Sequence, residues 1–267
     1  MHLNHVRMGG GRPLLLVHGL GGSWRSWEPV LAPLSLHREV VAVDLPGFGA
    51  SPPLGGDPSI GKLADALGAF VEAAGLRGID AVGSSLGARI VLELGRRGSS
   101  VGMVVALDPG GFWRPVERHA FYLGTWLSMQ ALRLLRPLLP ALARSRTGRS
   151  LLLARLSARP AAVQPALALE EMRGYASVRD MSRLLYQLAY REPDLGAPYG
   201  SFRPPPVIGW GREDRICPPA QAGRALALFP DARLHWFEQC GHFPQWDAPE
   251  ETVQLILEST AGAAAAP

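Results

Sequence analysis

The 267-residue sequence holds a single lysine, Lys62, and two cysteines, Cys217 and Cys240. Two cysteines exclude a disulfide framework, and their spacing matches no metal-ligand pattern. Both are expected to be small buried thiols. With lysine nearly absent, the formal net charge of +4 rests on arginine. No focused basic tract and no nucleic-acid-binding motif occurs, so no nucleic-acid partner is expected. No run of about 18 apolar residues suggests a membrane span. The opening "MHLNHVRMGGGRPLLLVHG" lacks the long apolar run of a signal peptide. A cytoplasmic protein is the expectation. Hydrophobic residues at 47% supply one sizeable core at this length. The tail "TAGAAAAP" is expected to fray, and the sequence carries no signal of oligomeric state.

What is present is an alternation. Short apolar runs at 13–19, 38–47, 79–83, 101–111, 205–211 and 232–239 read as strands, each closed by Gly, Pro, Asp or a polar residue. Helix-like patterns lie between or after them, near 24–34, 60–74, 86–98, 219–228 and 248–259. Pro219 and Pro249 suit first-turn positions. The repeat predicts an α/β fold: a mostly parallel central sheet with helices on both faces. Residues 112–195 break the rhythm. They contain no strand-like run, and Pro137, Pro140, Pro160 and Pro165 divide them into several helices. They read as an inserted helical cap on a core formed by 1–111 and 196–267. The cap holds thirteen arginines against six acids, so the excess positive charge of the chain sits there. That charge suits a solvated helix surface, a guard over a pocket for anionic substrates, or peripheral contact with a membrane surface.

The stretch "AVGSSLGARIVLEL" carries the chemistry. A serine hydroxyl is a weak nucleophile until a base takes its proton. In G-x-S-x-G the serine sits on a tight strand-to-helix turn with its oxygen exposed. One register fits: Gly83-Ser84-Ser85-Leu86-Gly87, with Ser85 central. A base is supplied by His242, in the glycine-marked loop "EQCGHFPQWDAPEE" after the last strand; histidine titrates near neutrality. Asp214, in "VIGWGREDRICP", follows a strand and can fix the histidine tautomer. Asp108, in "ALDPGG", also ends a strand and stands as an alternative acid, or as a turn residue. Backbone N–H groups of Leu20 and Leu86 are the expected oxyanion donors. This chemistry requires no metal and no organic cofactor.

The motifs "HGLGGSW", "DLPGFGAS", "GSSLG", "GREDRICP" and "CGHFPQWDAPE" occur in this order across residues 13–111 and 204–259. Together they resemble the α/β-hydrolase superfamily, in its cap-bearing, esterase-like branch. The resemblance implies Ser85 as nucleophile, Asp214 as acid and His242 as base, with Asp44 in a structural turn and His18 outside the triad. Serine at the nucleophile position separates the chain from the dehalogenases and epoxide hydrolases of that superfamily, which use aspartate there. Only about a dozen residues precede the "HG" strand, so an edge strand is expected to be lost or shortened. Trp24, Phe112, Trp113, Trp126 and Phe243, with Leu20, are expected to line an apolar pocket for a small-molecule substrate. Ester hydrolysis is the leading expectation. A C–C hydrolase of meta-cleavage products, a thioesterase acting on an acidic carrier, and a non-catalytic ligand receptor are the alternatives.

Overall fold

A seven-stranded sheet runs through the computed structural model in the order β1-β3-β2-β4-β5-β6-β7. The strands are β1 (His5–Met8), β2 (Pro13–Val17), β3 (Glu39–Val43), β4 (Ile79–Ser84), β5 (Val101–Leu107), β6 (Val207–Gly211) and β7 (Arg233–Phe237). The structure describes residues 2–98, 100–177, 181–192 and 195–262. Of the tail "TAGAAAAP" expected to fray, Thr260 and Ala261 instead close the last helix, with Thr260 buried, and residues 263–267 lie outside the described residues. Every pairing is parallel except β1 with β3. The edge strand is present, with four residues.

Alternation within the strands explains the layering. Leu15 and Val17 of β2, with Val41 and Val43 of β3, face one apolar cluster. Leu14, Leu16, Val40 and Ala42 face the other. Side chains two apart share a face, so each strand feeds both layers. On one side pack α1 (Glu28–Ser35) and α11 (Pro249–Ala261); on the other lie α2 (Ile60–Ala73), α3 (Leu86–Arg96) and α9 (Ala222–Leu228). Pro249 opens α11, and Pro219 opens a short 3-10 turn before α9. Both use a position whose N–H would lack an intrahelical acceptor.

Between β5 and β6 the chain forms α4 (Pro115–Leu134), α5 (Leu139–Arg144), α6 (Arg146–Leu152), α7 (Pro165–Ser177) and α8 (Met181–Tyr190), with no strand among the described residues. A further short helix, α10 (Pro244–Asp247), precedes α11. From β2 the chain moves outward to β3, then returns to β4 on the other side of β2. That reversal opens a crevice at the carboxyl ends of β2 and β4, where doubly wound sheets bind ligands.

Candidate active site

Ser85 follows β4 directly and caps α3 with φ 54° and ψ −111°. A non-glycine residue there stores roughly 1–3 kcal/mol of backbone strain. The flanking glycines make the turn sterically feasible. A Cβ on Gly87 would lie 2.1 Å from the Val17 carbonyl oxygen of β2, and one on Gly83 would lie 2.3 Å from the Gly87 carbonyl oxygen. The turn is thus pressed against the neighbouring strand, which leaves the Ser85 hydroxyl facing outward. Ser84 is fully buried and receives a hydrogen bond from the Gln245 amide at 3.2 Å. The two adjacent serines therefore differ in kind.

The Ser85 Oγ lies 2.8 Å from His242 Nε2, and His242 Nδ1 lies 2.7 Å from Asp214 Oδ2. The other Asp214 oxygen accepts the Ile216 and Cys217 N–H groups at 2.7 and 2.9 Å. These bonds orient the carboxylate toward the imidazole before any ligand arrives. Asp108 takes a different place. Its Oδ1 accepts the Gly211 N–H at 2.9 Å, and no hydrogen bond joins it to His242 among the described residues. Burial, and then the Asp214 charge beside it, push the Asp108 carboxyl well above the usual range.

His242 is held by groups that the sequence did not single out. Its N–H donates to the Leu156 carbonyl at 2.9 Å. Asp247 accepts the N–H groups of Gly241 and Ala158, each at 2.8 Å, and the Ser157 hydroxyl. One buried carboxylate thus joins the histidine loop to the helical segment between β5 and β6. The motif "QWDAPE" was visible, but its partners lie about 90 residues away in sequence, beyond the reach of local spacing.

Leu20 and Leu86 border the same cavity as Ser85 and His242. Leu86 is the first residue of α3, so its N–H has no acceptor within the helix. His18 stands apart from the serine. Its Nε2 accepts the Leu45 N–H at 3.0 Å, so Nδ1 carries the proton and donates to the Gly19 carbonyl at 2.7 Å. Burial lowers its pKa to about 4, and it acts as a neutral crosslink between the β2 and β3 loops. Asp44 likewise anchors a turn, accepting N–H bonds from Trp24 and Ala50 and from the Asn4 amide.

The cavity measures about 220 Å³ and runs from Ser85 to α4 and α6. Of the aromatic residues expected to line it, Trp113 does so, stacked on Phe121 at 4.5 Å. The other four do not border it, which corrects the expectation. Trp24 packs on the opposite face of the sheet, under the Arg25 guanidinium. Phe112 is buried against Trp210 and Phe229, and Trp126 packs against the main core cluster. Phe243 lies beneath the site, against Trp246 and His242. Leu132, Leu152, Leu156, Tyr175 and Leu188 form much of the wall instead. Cys217 and Cys240 are both buried, and burial pushes the Cys240 thiol up. Asp214, Cys217 and His242 place ligand atoms within 4.8 Å of one another. Both imidazole nitrogens are engaged by Ser85 and Asp214, so a metal would have to displace those bonds.

This fold, with a half-buried serine at the β4 elbow bonded to a histidine, defines a class. The model of the alpha/beta hydrolase family matches residues 14–255, and the chain belongs to that family. The chain is 32% identical over 270 residues to the 2-hydroxymuconate semialdehyde hydrolase of Pseudomonas putida, covering 93% of this chain and 86% of that protein. It is 25% identical over 269 residues to the 2-hydroxy-6-oxo-6-phenylhexa-2,4-dienoate hydrolase of Burkholderia cepacia, covering 97% and 90%. Among solved structures, a membrane phospholipase A described as a bacterial virulence factor aligns with TM-score 0.76 at 26% identity, over 97% of this chain and 82% of that one. Among the described residues no helix is long and apolar enough to cross a membrane.

Proposed function

We propose that the protein is a serine hydrolase that cleaves an ester-type bond of a small, largely apolar substrate through an acyl-enzyme. In this reading residues 112–195 form a helical cap over a core of 1–111 and 196–267. The observation that carries it is the continuous hydrogen-bonded line from Ser85 through His242 to Asp214, opening into an apolar cavity. Ser85 Oγ attacks the carbonyl carbon while His242 Nε2 takes its proton. Asp214 holds the Nδ1–H tautomer and stabilises the imidazolium. The N–H groups of Leu20 and Leu86 receive the oxyanion. His242 then protonates the leaving alcohol, and a water molecule, deprotonated by the same nitrogen, releases the acid and restores Ser85.

Replacing Ser85 with Ala should lower kcat for p-nitrophenyl acyl esters by roughly 10⁴-fold or more, with an unchanged circular dichroism spectrum. Retained turnover would overturn the assignment. A second reading, C–C bond hydrolysis next to a ketone, draws on one observation: Arg89 and Arg155 border the otherwise apolar cavity, which suits a carboxylate-bearing substrate. The names of the two curated relatives point the same way. A coloured dienone that decays to its dienoate with a higher kcat/KM than any ester would favour it.

A further inference from the structure

The outer face of α4 is apolar and uncovered. Val116, Ala120, Leu123, Leu127, Ala131 and Leu134 are all exposed, Val116 by 80% and Leu134 by 83%. Their spacing of three and four residues places them within an arc of about 80° on the helix. The helix spans about 30 Å, so this is a continuous stripe rather than scattered side chains. Leu138, just beyond the helix, and Leu151 on α6 extend it. Single exposed leucines are ordinary on a protein surface, but a contiguous stripe marks an interaction face.

Two further observations say what covers it. The first is charge. Residues 114–155 contain eight arginines and one acid, Glu117, and Glu117 is already paired with Arg224. Arg114 and Arg136 flank the two ends of the stripe, and Arg144 and Arg146 lie beside its extension, all exposed. A second copy of this chain would bring arginines against arginines. An anionic bilayer meets both features, taking leucines into its interfacial region and arginines among its phosphates. The second is continuity with the cavity. Ala131 of the stripe and Leu151, which is 73% exposed, also border the cavity that contains Ser85 and His242. The mouth of the site therefore opens within the apolar face.

We propose that α4, with Leu138 and Leu151, seats the protein on the surface of an anionic lipid bilayer, so that the Ser85 cavity takes an acyl amphiphile directly from the membrane. The identity of that substrate rests on the ester-hydrolase reading; the docking does not. An apolar chain would pass from the bilayer between Ala131 and Leu151 without crossing water, and its ester would arrive at Ser85.

The test is co-flotation of the full chain with vesicles of phosphatidylcholine alone or mixed equally with phosphatidylglycerol. Binding to the mixed vesicles should exceed binding to neutral ones by at least about tenfold and fall with salt. L123E/L127E, which alters neither cavity wall nor reacting groups, should lose that binding while hydrolysing a soluble short-chain ester as wild type does. R136E/R144E/R146E should lose the preference for anionic vesicles. Ser85→Ala should bind undiminished, so docking is read without turnover. Equal recovery with and without phosphatidylglycerol, or wild-type binding by L123E/L127E, overturns the proposal. So does a dimer in sedimentation velocity that L123E/L127E abolishes while no vesicle binding is seen. Docking without ester turnover would instead overturn the ester reading alone.

Discussion

Asp108 and Asp214 follow paired strands and bring two carboxyl groups into one buried site. Asp214 has the hydrogen bonds a carboxylate needs: two backbone N–H groups and the imidazole. Asp108 accepts a single backbone N–H, from Gly211, and is pushed toward its protonated form first by burial and then by its neighbour Asp214. A neutral side chain of the same shape should therefore serve in its place. Asp108→Asn is expected to leave kcat within about threefold of wild type, whereas Asp214→Asn should lower it by roughly 10⁴-fold through loss of the correct tautomer. Steady-state kinetics on one ester compares them directly, and the reverse pattern would exchange the two roles. Sequence left this pair open because strand ends look alike along the chain; which carboxyl faces the histidine depends on how two loops fold together. The turn that carries Ser85 was legible for the opposite reason. The glycine spacing around it is a steric requirement of one local turn, with contacts as short as 2.1 Å for any added Cβ. Trp24 and Phe112 were misread because an aromatic residue near a motif does not reveal which face of the sheet it will pack against.

The elements that shape the site are joined by small residues and two buried acids, Asp247 and Glu171. α7 lies directly on the loop that follows β2: a Cβ on Gly174 would meet the Gly21 carbonyl oxygen at 1.9 Å, and one on Gly21 would touch the Tyr175 ring at 2.9 Å. Close beside this contact the Ser26 hydroxyl donates to Glu171. Burial raises the Glu171 pKa to about 7 against a usual 4.5. The unfolded chain releases that proton near pH 4.5 and the folded chain near pH 7, so the contribution to stability is full below pH 4.5, falls across this interval and is level above it. At about 1.4 kcal/mol per unit the swing is about 3 kcal/mol. Glu171→Gln should remove this slope. Denaturation midpoints measured from pH 4.5 to 8 should show the variant gaining on wild type as pH rises. A constant difference would place the ionisation elsewhere. The helical segment itself was legible as composition, since no strand-like run occurs in 112–195. Its docking was not, because "EEMRGYAS" gives no sign that Glu171 would turn inward.

At the scale of the whole molecule, the Asp80 ion cluster and the candidate site around Ser85 occupy opposite edges of one sheet. Asp80, fully buried near the start of β4, accepts hydrogen bonds from Arg38 at 2.7 Å, Arg12 at 3.0 Å and the Met103 N–H at 3.0 Å. Arg38 and Arg12 in turn reach Thr260 near the end of α11. This cluster ties the amino ends of β2, β3, β4 and β5 to the last helix, which began its packing near the histidine loop. Ser85 lies five residues further along the same strand and turn, roughly 17 Å away at strand rise. The parallel arrangement of β2 to β7 fixes this separation, since their carboxyl ends open toward the crevice and their amino ends away from it. Removing Asp80 leaves the Arg38 guanidinium buried beside no counter-charge, a loss of about 3 kcal/mol or more. Asp80→Ala should therefore shift the urea midpoint strongly downward with little change in slope. Below its unfolding range its kcat/KM for a short-chain ester should match wild type, because the carboxyl edge keeps all its bonds. A variant that stayed folded but lost activity in proportion would show that strain at the amino edge reaches Ser85 through β4, and that the two edges act as one unit.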